Sequence, residues 1–379
     1  MDDLLTPPLV DIVIPVHSTA RPLERAVRSA LRASEGAGPG QCRVLVVAHH
    51  LREREVLAML PESLRAAVTV FECENRGSTA AVPRNEALRR STARYVSFLD
   101  SDDTLDPGAV TRWLGIAERR GSDLVIPFQH HEAARVDITP IIRPFRSARL
   151  DPVKDRLGYR STCFGLVRTA AARSAGALFD EEVRTGEDQA FVVALYSAAQ
   201  RIDYAPGLPG YFMRDDAETR VSTQPFSVRE TTAAVSRLRR HTWFAGLPPE
   251  LRASLALKYL RVNVLPGADT VLRAGTWGPG SVEDALAAVQ DLLAFAPHVE
   301  DRLSSADRKA VALLRASAGA EELRHALAER RAFASPGALL TRNVRWVLDR
   351  QSPLRIAAAS AAQMARYEFG RRRQAQRRA

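Results

Sequence analysis

Val10-Asp11-Ile12-Val13-Ile14-Pro15-Val16-His17 is a nearly unbroken apolar run that stops at a polar residue. Its first five residues read as a strand buried on both faces, as strands of parallel sheets are. Leu23, Ala26, Val27, Ala30 and Leu31 follow at helical spacing, with Ser18 or Thr19 available as a cap. The same alternation then repeats. Val44–Val47 predicts a second strand followed by a helix over about 52–60, and Ala67–Phe71 predicts a third followed by a helix containing Asn85–Arg90. Tyr95-Val96-Ser97-Phe98-Leu99 predicts a fourth. Asp106-Pro107 reads as a cap with proline at the first helical position, and Asp123–Ile126 closes the series. Apolar strands separated by helices predict an α/β fold, with a mostly parallel sheet flanked by helices. Such sheets bind ligands beyond the carboxyl ends of their strands. That rule selects His17, His49, Glu74-Asn75-Arg76-Gly77 and Asp100-Ser101-Asp102-Asp103, four polar clusters expected on one edge.

Further along, residues 129–224 are mixed, with an Arg/Pro-rich crossing stretch at Ile141-Ile142-Arg143-Pro144. From about 226 to 335 the chain is rich in Leu, Ala and Arg and reads as helical. Ser281-Val282-Glu283-Asp284 and Ser304-Ser305-Ala306-Asp307 are the expected helix starts there. The chain length of 379 residues permits two or three domains and a large core. The expected division is 8–224, 225–338 and a basic tail over 339–379. No apolar run reaches the roughly 18 residues of a membrane span, and acids occupy the start where a signal peptide carries bases. Three cysteines without CxxC spacing argue against a disulfide framework or a cysteine-built zinc site and fit a reducing cytoplasm.

The formal charge is +10, and the segment from Arg342 onward, with ten arginines against Asp349 and Glu368, carries +8 of it. A nearly balanced body with a basic end is not a whole-surface nucleic-acid footprint. Arg371-Arg372-Arg373 and Arg377-Arg378, beyond a stretch holding Leu354, Ile356, Met364, Tyr367 and Phe369, are read three ways. They are a solvated terminus, a contact with anionic lipid headgroups, or a sequence-blind contact with nucleic acid.

Two acidic groups stand out as chemistry. Carboxylates at 100, 102 and 103 suit a hard divalent cation, although aspartates also favour turns and caps. Glu187 and Asp188 precede Ala190, Phe191, Val193, Ala194 and Leu195, and so open a buried helix. Acids there favour the helix dipole, or else supply a general base at a fixed helix start.

These segments, with Pro83-Arg84-Asn85 and Gly186-Glu187-Asp188-Gln189, together resemble a family 2 glycosyltransferase over residues 8–224. Tyr211-Phe212-Met213-Arg214-Asp215-Asp216 and Ser222 are similar to the bacterial branch that decorates wall teichoic acids. The resemblance implies a GT-A fold with a C-terminal helical region. It also implies a DxD element in the nucleotide-sugar site, Asp100, Ser101 and Asp102, with one aspartate toward ribose or sugar and one on Mg2+ or Mn2+, and Asp103 in support. Pro15, Val16, His17 and Asn75 would line the nucleoside pocket. Arg84 would approach the diphosphate or its neighbouring acids, and Arg214 and Ser222 the phosphates or a covering loop. Asp188 would be the base of an inverting transfer, with Glu187 shaping the site.

One departure stands out. Where the family carries an acidic pair after the second strand, this chain has Ala48-His49-His50. A neutral imidazole offers one acceptor and no fixed charge. The expected activity is a metal-dependent hexosyl- or N-acetylhexosaminyl transfer from a nucleotide-diphosphate sugar, a UDP-sugar first. The expected acceptor is a glycan, a polyol-phosphate or a lipid-linked hydroxyl of the cell envelope. The expected location is cytoplasmic or peripheral at the inner membrane face, with an oligomer allowed and no specific nucleic acid. The alternatives are a catalytically silent sugar-nucleotide-binding module and a nucleic-acid-binding protein acting through the arginine tail.

Overall fold

The structure is a computed structural model that describes residues 7–74, 76–77, 79–132, 136–216 and 226–378, with side chains up to 369. Asn75 and Ser222 therefore lie outside the described residues, as do the side chains of the terminal arginines. The chain divides into two compact units. The first comprises residues 1–137, 146–150 and 162–220, and the second residues 138–145, 151–161 and 221–379.

In the first unit the strands β1 (Val10–Val16), β2 (Cys42–Ala48), β3 (Val68–Glu72) and β4 (Tyr95–Phe98) alternate with four helices. These are α1 (Leu23–Ala33), α2 (Glu53–Ala58), α3 (Glu62–Arg65) and α4 (Ala81–Arg90). Next come β5 (Thr104–Leu105), α5 (Ala109–Arg120), β6 (Leu124–Pro127), β7 (Gln129–His131) and β8 (Val136–Asp137). The unit ends with β9 (Leu166–Arg168), α6 (Thr169–Ser174), α7 (Asp188–Ala198), β10 (Ile202–Ala205) and β11 (Tyr211–Met213). Seven strands form one sheet in the order β10-β6-β9-β4-β1-β2-β3. β1 pairs in parallel with both β2 and β4, and β2 with β3, so the four carboxyl ends face one edge. Only β9 runs antiparallel to its neighbours β4 and β6. A second sheet, β5-β11-β7-β8, was not foreshadowed by the sequence, because its strands are two or three residues long.

Every residue of β1 is buried, which is why its sequence is continuously apolar. The exception, Asp11, is compensated. Arg43 grips its carboxylate at two points, both 2.9 Å, and the Ser91 hydroxyl donates at 2.7 Å. Tight strand packing also fixes a glycine: at Gly165 (φ +114°) a Cβ would sit 2.3 Å from the Val125 carbonyl oxygen.

Three expected caps are corrected. α1 starts at Leu23 behind Pro22 without a side-chain cap, and the Ser18 hydroxyl instead accepts from the Ala20 N–H in a local turn. α5 starts at Ala109 after Gly108 (φ +74°). The Asp106 carboxylate is diverted to the Gly210 N–H at 2.8 Å and His130 Nε2 at 2.9 Å. Proline at the first helical position moves the start at 281 back to Pro279, since its fixed φ suits that place. The Ser304 cap stands as read, accepting from the Asp307 N–H.

The second unit is helical: α8 (Val228–Leu238), α9 (Pro249–Tyr259), α10 (Leu265–Arg273), α11 (Pro279–Phe295), α12 (Ser305–Arg315), α13 (Ala320–Arg331), α14 (Pro336–Leu339) and α15 (Pro353–Arg378). Leu255, Leu260, Leu272, Val289, Leu292, Leu314 and Leu327 are among its buried side chains. Residues 138–145 and 151–161 contribute through arginine. Arg156 donates to the Ile141 and Arg350 carbonyls and Arg160 to the Thr139 carbonyl, while Gln363 of α15 donates to the Ile138 and Pro140 carbonyls. No described helix is long and apolar enough to cross a membrane.

Candidate active site

The strand ends converge as the topology requires. His49, two per cent exposed after β2, donates from Nε2 to the Arg76 carbonyl beyond β3 at 2.9 Å. His50 donates likewise to the Gly77 carbonyl at 3.0 Å, and the two rings lie 4.0 Å apart. A carbonyl can only accept, so His49 carries its proton on Nε2 and keeps Nδ1 as an acceptor. Burial holds the imidazoles of His49 and His17 below the usual histidine range. At His17 the nearby Arg21 and His50 act in the same direction, against Asp100. Pro15 and Val16 end β1 as buried residues beside Val47 and Ala48.

The carboxylates meet on one guanidinium. Arg84 on α4 is almost wholly buried, and its Nη2 donates to Asp100 Oδ1 at 2.5 Å. Its Nη1 donates to Asp188 Oδ1 at 3.1 Å and to Glu187 Oε1 at 3.2 Å. Acids that lie 16 and 104 residues from Arg84 thus share one cation. The Phe179 ring lies 5.3 Å from the same guanidinium. Asn85, the next residue, ties the segment leading to Glu187 into place. It donates to the Phe179 carbonyl at 3.0 Å and to Glu181 at 2.9 Å, and accepts from the Phe179 N–H at 2.9 Å. Asp188 opens α7 and also accepts from the Cys163 N–H. Burial, then the neighbouring Glu187, pushes its carboxyl up to about 7.

Asp103 is held from behind. Tyr211 donates its hydroxyl to Asp103 Oδ2 at 2.9 Å and accepts from the Asp100 N–H at 3.2 Å. The Arg214 N–H donates to Asp103 Oδ1 at 2.8 Å. The Tyr211 ring stacks on Phe164 at 3.9 Å. Burial, then Asp100, pushes the Asp103 carboxyl up to about 7. Asp103 therefore braces the turn, while Asp100 and Asp102 flank the buried Ser101. Asp102 receives Arg21 on its carboxylate and Arg25 on its carbonyl, both at 2.7 Å. Arg25 also forks onto Asp216, with one contact at 2.9 Å. The Arg214 side chain points to Glu132 at 3.4 Å and lies over the Phe212 ring.

The donor set suits a hard cation. Asp100 keeps a third of its side chain exposed and Asp102 a sixth, and two such carboxylates match an ion that completes its shell with water and phosphate oxygens. Among the described residues no group of three or more His, Cys, Asp or Glu forms a ready metal cage. Arg21, Arg25, Asn85 and Tyr211 were not singled out as site residues by sequence. Arg21 and Arg25 sit four apart, one just before and one within the first turn of α1, shortly beyond the first strand end, and that position was the available signal.

Residues 11–175 match the family model described as glycosyl transferase family 2. Poly(ribitol-phosphate) beta-N-acetylglucosaminyltransferase TarP of Staphylococcus aureus is 21% identical over 224 residues, which are 59% of this chain and 67% of that one. The putative teichuronic acid biosynthesis glycosyltransferase TuaG of Bacillus subtilis is 26% identical, over 62% of this chain and 86% of its own. The crystal structure of S. aureus TarS 1-349 in complex with UDP-GlcNAc superposes with a TM-score of 0.70 at 18% identity. It covers 85% of this chain and 91% of that one, a likeness of fold.

Proposed function

We propose, from the match of residues 11–175 to the glycosyl transferase family 2 model, that this protein transfers a sugar from a nucleotide diphosphate to an acceptor hydroxyl, with inversion. The observation that carries this reading is the shared Arg84: one guanidinium holds Asp100 against Glu187 and Asp188. A leaving diphosphate gains charge, and the site has cations beside it in Arg21 and Arg25. A Mg2+ or Mn2+ held by Asp100 and Asp102 supplies further charge neutralisation when bound. Asp188 takes the proton of the attacking hydroxyl at its carboxylate, and a proton affinity near neutrality suits that task. Arg84 orients that carboxylate, and Glu187 shares the same nitrogen. Attack opposite the leaving group needs no sugar–protein intermediate.

His49 Nδ1 offers the acceptor that reads a nucleobase N–H, in place of the family's carboxylate. The donor proposed first is a UDP-sugar, hexose or N-acetylhexosamine. The acceptor proposed is an anionic envelope polymer such as a polyol-phosphate, which the kinship with TarP and TuaG supports. A cytoplasmic site of action, with the arginine tail against the inner membrane face, completes the proposal. The test is a turnover screen of nucleotide sugars with polyol-phosphate acceptors, with Mn2+ or with EDTA. Transfer that needs the ion and is abolished in Asp102→Ala, together with ion-dependent donor binding, is the expected result. Donor binding without any transfer or hydrolysis would turn the reading into a silent binding module.

A further inference from the structure

Residues 340–350 of the second unit hold apolar side chains out in solvent on a pinned backbone. Val344 is 84% exposed, Leu348 73% and Leu340 41%. Lone exposed leucines need no explanation, but three within nine residues on a fixed segment do. The segment is anchored at both ends. The Ser305 N–H donates to the Leu340 carbonyl at 2.8 Å, and buried Thr341 pairs with Ser304. At the other end Gln351 and Ser352 are buried, and Arg261 donates to the Gln351 carbonyl at 2.7 Å. Between the anchors, Asn343 accepts from the Arg345 N–H, and successive tight turns carry the chain past Trp346 to Asp349. The Trp346 ring lies 4.8 Å from the Arg302 guanidinium and 5.3 Å from that of Arg345. These side chains are thus presented by a rigid loop, not a frayed one.

The charge around them is mostly positive. Arg342, Arg345 and Arg350 are exposed on the same segment, against the single acid Asp349. Arg342, Asn343 and Val344 line an open hollow of about 460 Å3 together with Arg308 and Asp301, the Asp301 carboxylate being taken by Arg308 at 2.7 Å. Apolar tips among arginines, with a tryptophan at the boundary, match a surface that is anionic outside and apolar beneath. A second copy docking the same patch would set arginine against arginine, which disfavours self-association here.

We propose that the 340–350 loop is a membrane-docking surface: Leu340, Val344 and Leu348 enter the acyl boundary of an anionic bilayer while Arg342, Arg345 and Arg350 bind lipid phosphates. This surface lies at the start of the basic segment 339–379, apart from Arg371–Arg378; it rests on the membrane contact proposed above and narrows that contact to one loop, and its test does not use sugar transfer. The full chain is sedimented with vesicles of phosphatidylglycerol and phosphatidylcholine, and with vesicles of phosphatidylcholine alone. Binding is expected only to the anionic vesicles. It should fall about tenfold or more in Val344→Ser/Leu348→Ser and in Arg342→Ser/Arg345→Ser, the latter removing the salt-sensitive part. Replacing Arg371, Arg372, Arg373, Arg377 and Arg378 by Ser should leave most of the binding. Melting temperatures confirm that the surface variants remain folded. The unaltered loop offers an independent readout, since acyl-brominated phosphatidylglycerol should quench the Trp346 emission, taken as the difference from Trp346→Phe. The proposal is overturned if the parent binds neither vesicle or both alike, or if the serine variants bind as the parent does. It is overturned equally if the tail variant alone abolishes binding, if bromine leaves Trp346 unquenched, or if the loop variants change only the sedimenting mass of the free protein.

Discussion

Asp188→Asn separates the two costs that the Arg84 cluster imposes. Asparagine is close in shape to a protonated aspartic acid, so the variant represents the neutral site at every pH. In the parent, burial and Glu187 raise the Asp188 carboxyl from 3.8 to about 7 even with Arg84 beside it. Because the folded value lies above the unfolded one, the protonated form favours folding fully below pH 3.8. That contribution is lost as pH rises through about 7. Each tenfold change in proton affinity is about 1.4 kcal/mol, so the interval amounts to on the order of 4 kcal/mol at pH 8. The asparagine variant escapes this loss and keeps the neighbours that order Arg84, namely Asp100 and Glu187. It should therefore melt about 10 °C higher than the parent at pH 8, at roughly 2–4 °C per kcal/mol for a unit of this size. The advantage should shrink steadily toward pH 4. Transfer should fall roughly 100- to 10,000-fold, because the proposed proton acceptor is gone, while donor affinity changes little. Differential scanning calorimetry from pH 4 to 8, alongside donor titration and initial rates, reads all three. Equal melting at pH 8, or an advantage independent of pH, would refute the claim that Asp188 is ionised at a cost. Turnover at the parental rate would remove it as the base.

Three further outcomes follow from particular contacts. His49→Ala removes the Nδ1 acceptor, and calorimetric titration should show UDP binding weakened about tenfold, a typical loss for one hydrogen bond to a buried polar group; an unchanged Kd takes His49 out of the nucleotide site. Tyr211→Phe deletes the hydroxyl between Asp103 and the Asp100 N–H, at a cost of about 1–3 kcal/mol in urea unfolding. The deficit should widen as pH rises past 7, since Asp103 loses a donor that favours its charged form. Gly165→Ala forces a Cβ against the Val125 carbonyl and a strained φ, and should cost about 3 kcal/mol or more. Gly121→Ala, at φ +66° with open space around it, should cost only about 1 kcal/mol in the same assay.

The expected architecture was legible because it rests on periodicity. Four apolar runs divided by helical stripes leave a parallel sheet as the way to bury them, and the strand-end rule then names His17, His49 and Asp100–Asp103 without any structure. Short-range chemistry was less secure. Asp106 followed by proline has the form of a helix start, yet its carboxylate went to Gly210 and His130, groups more than 20 residues away. The small second sheet gave no periodic signal, since a strand of two or three residues spans at most one alternation.

What the chain determined by itself is which residue types stand at which strand ends: carboxylates after β4 and at the start of α7, histidines after β2, and arginines at the tail. Tertiary structure alone decided their partners. That Arg84 joins Asp100 to Asp188, that Tyr211 braces Asp103, and that Val344 and Leu348 stay in solvent all depend on how elements far apart in sequence pack. The physical reason lies in range: hydrophobic periodicity is set by each residue's near neighbours along the chain. The energy of a buried charge depends on whatever the fold places within a few ångströms of it, from any position in the chain.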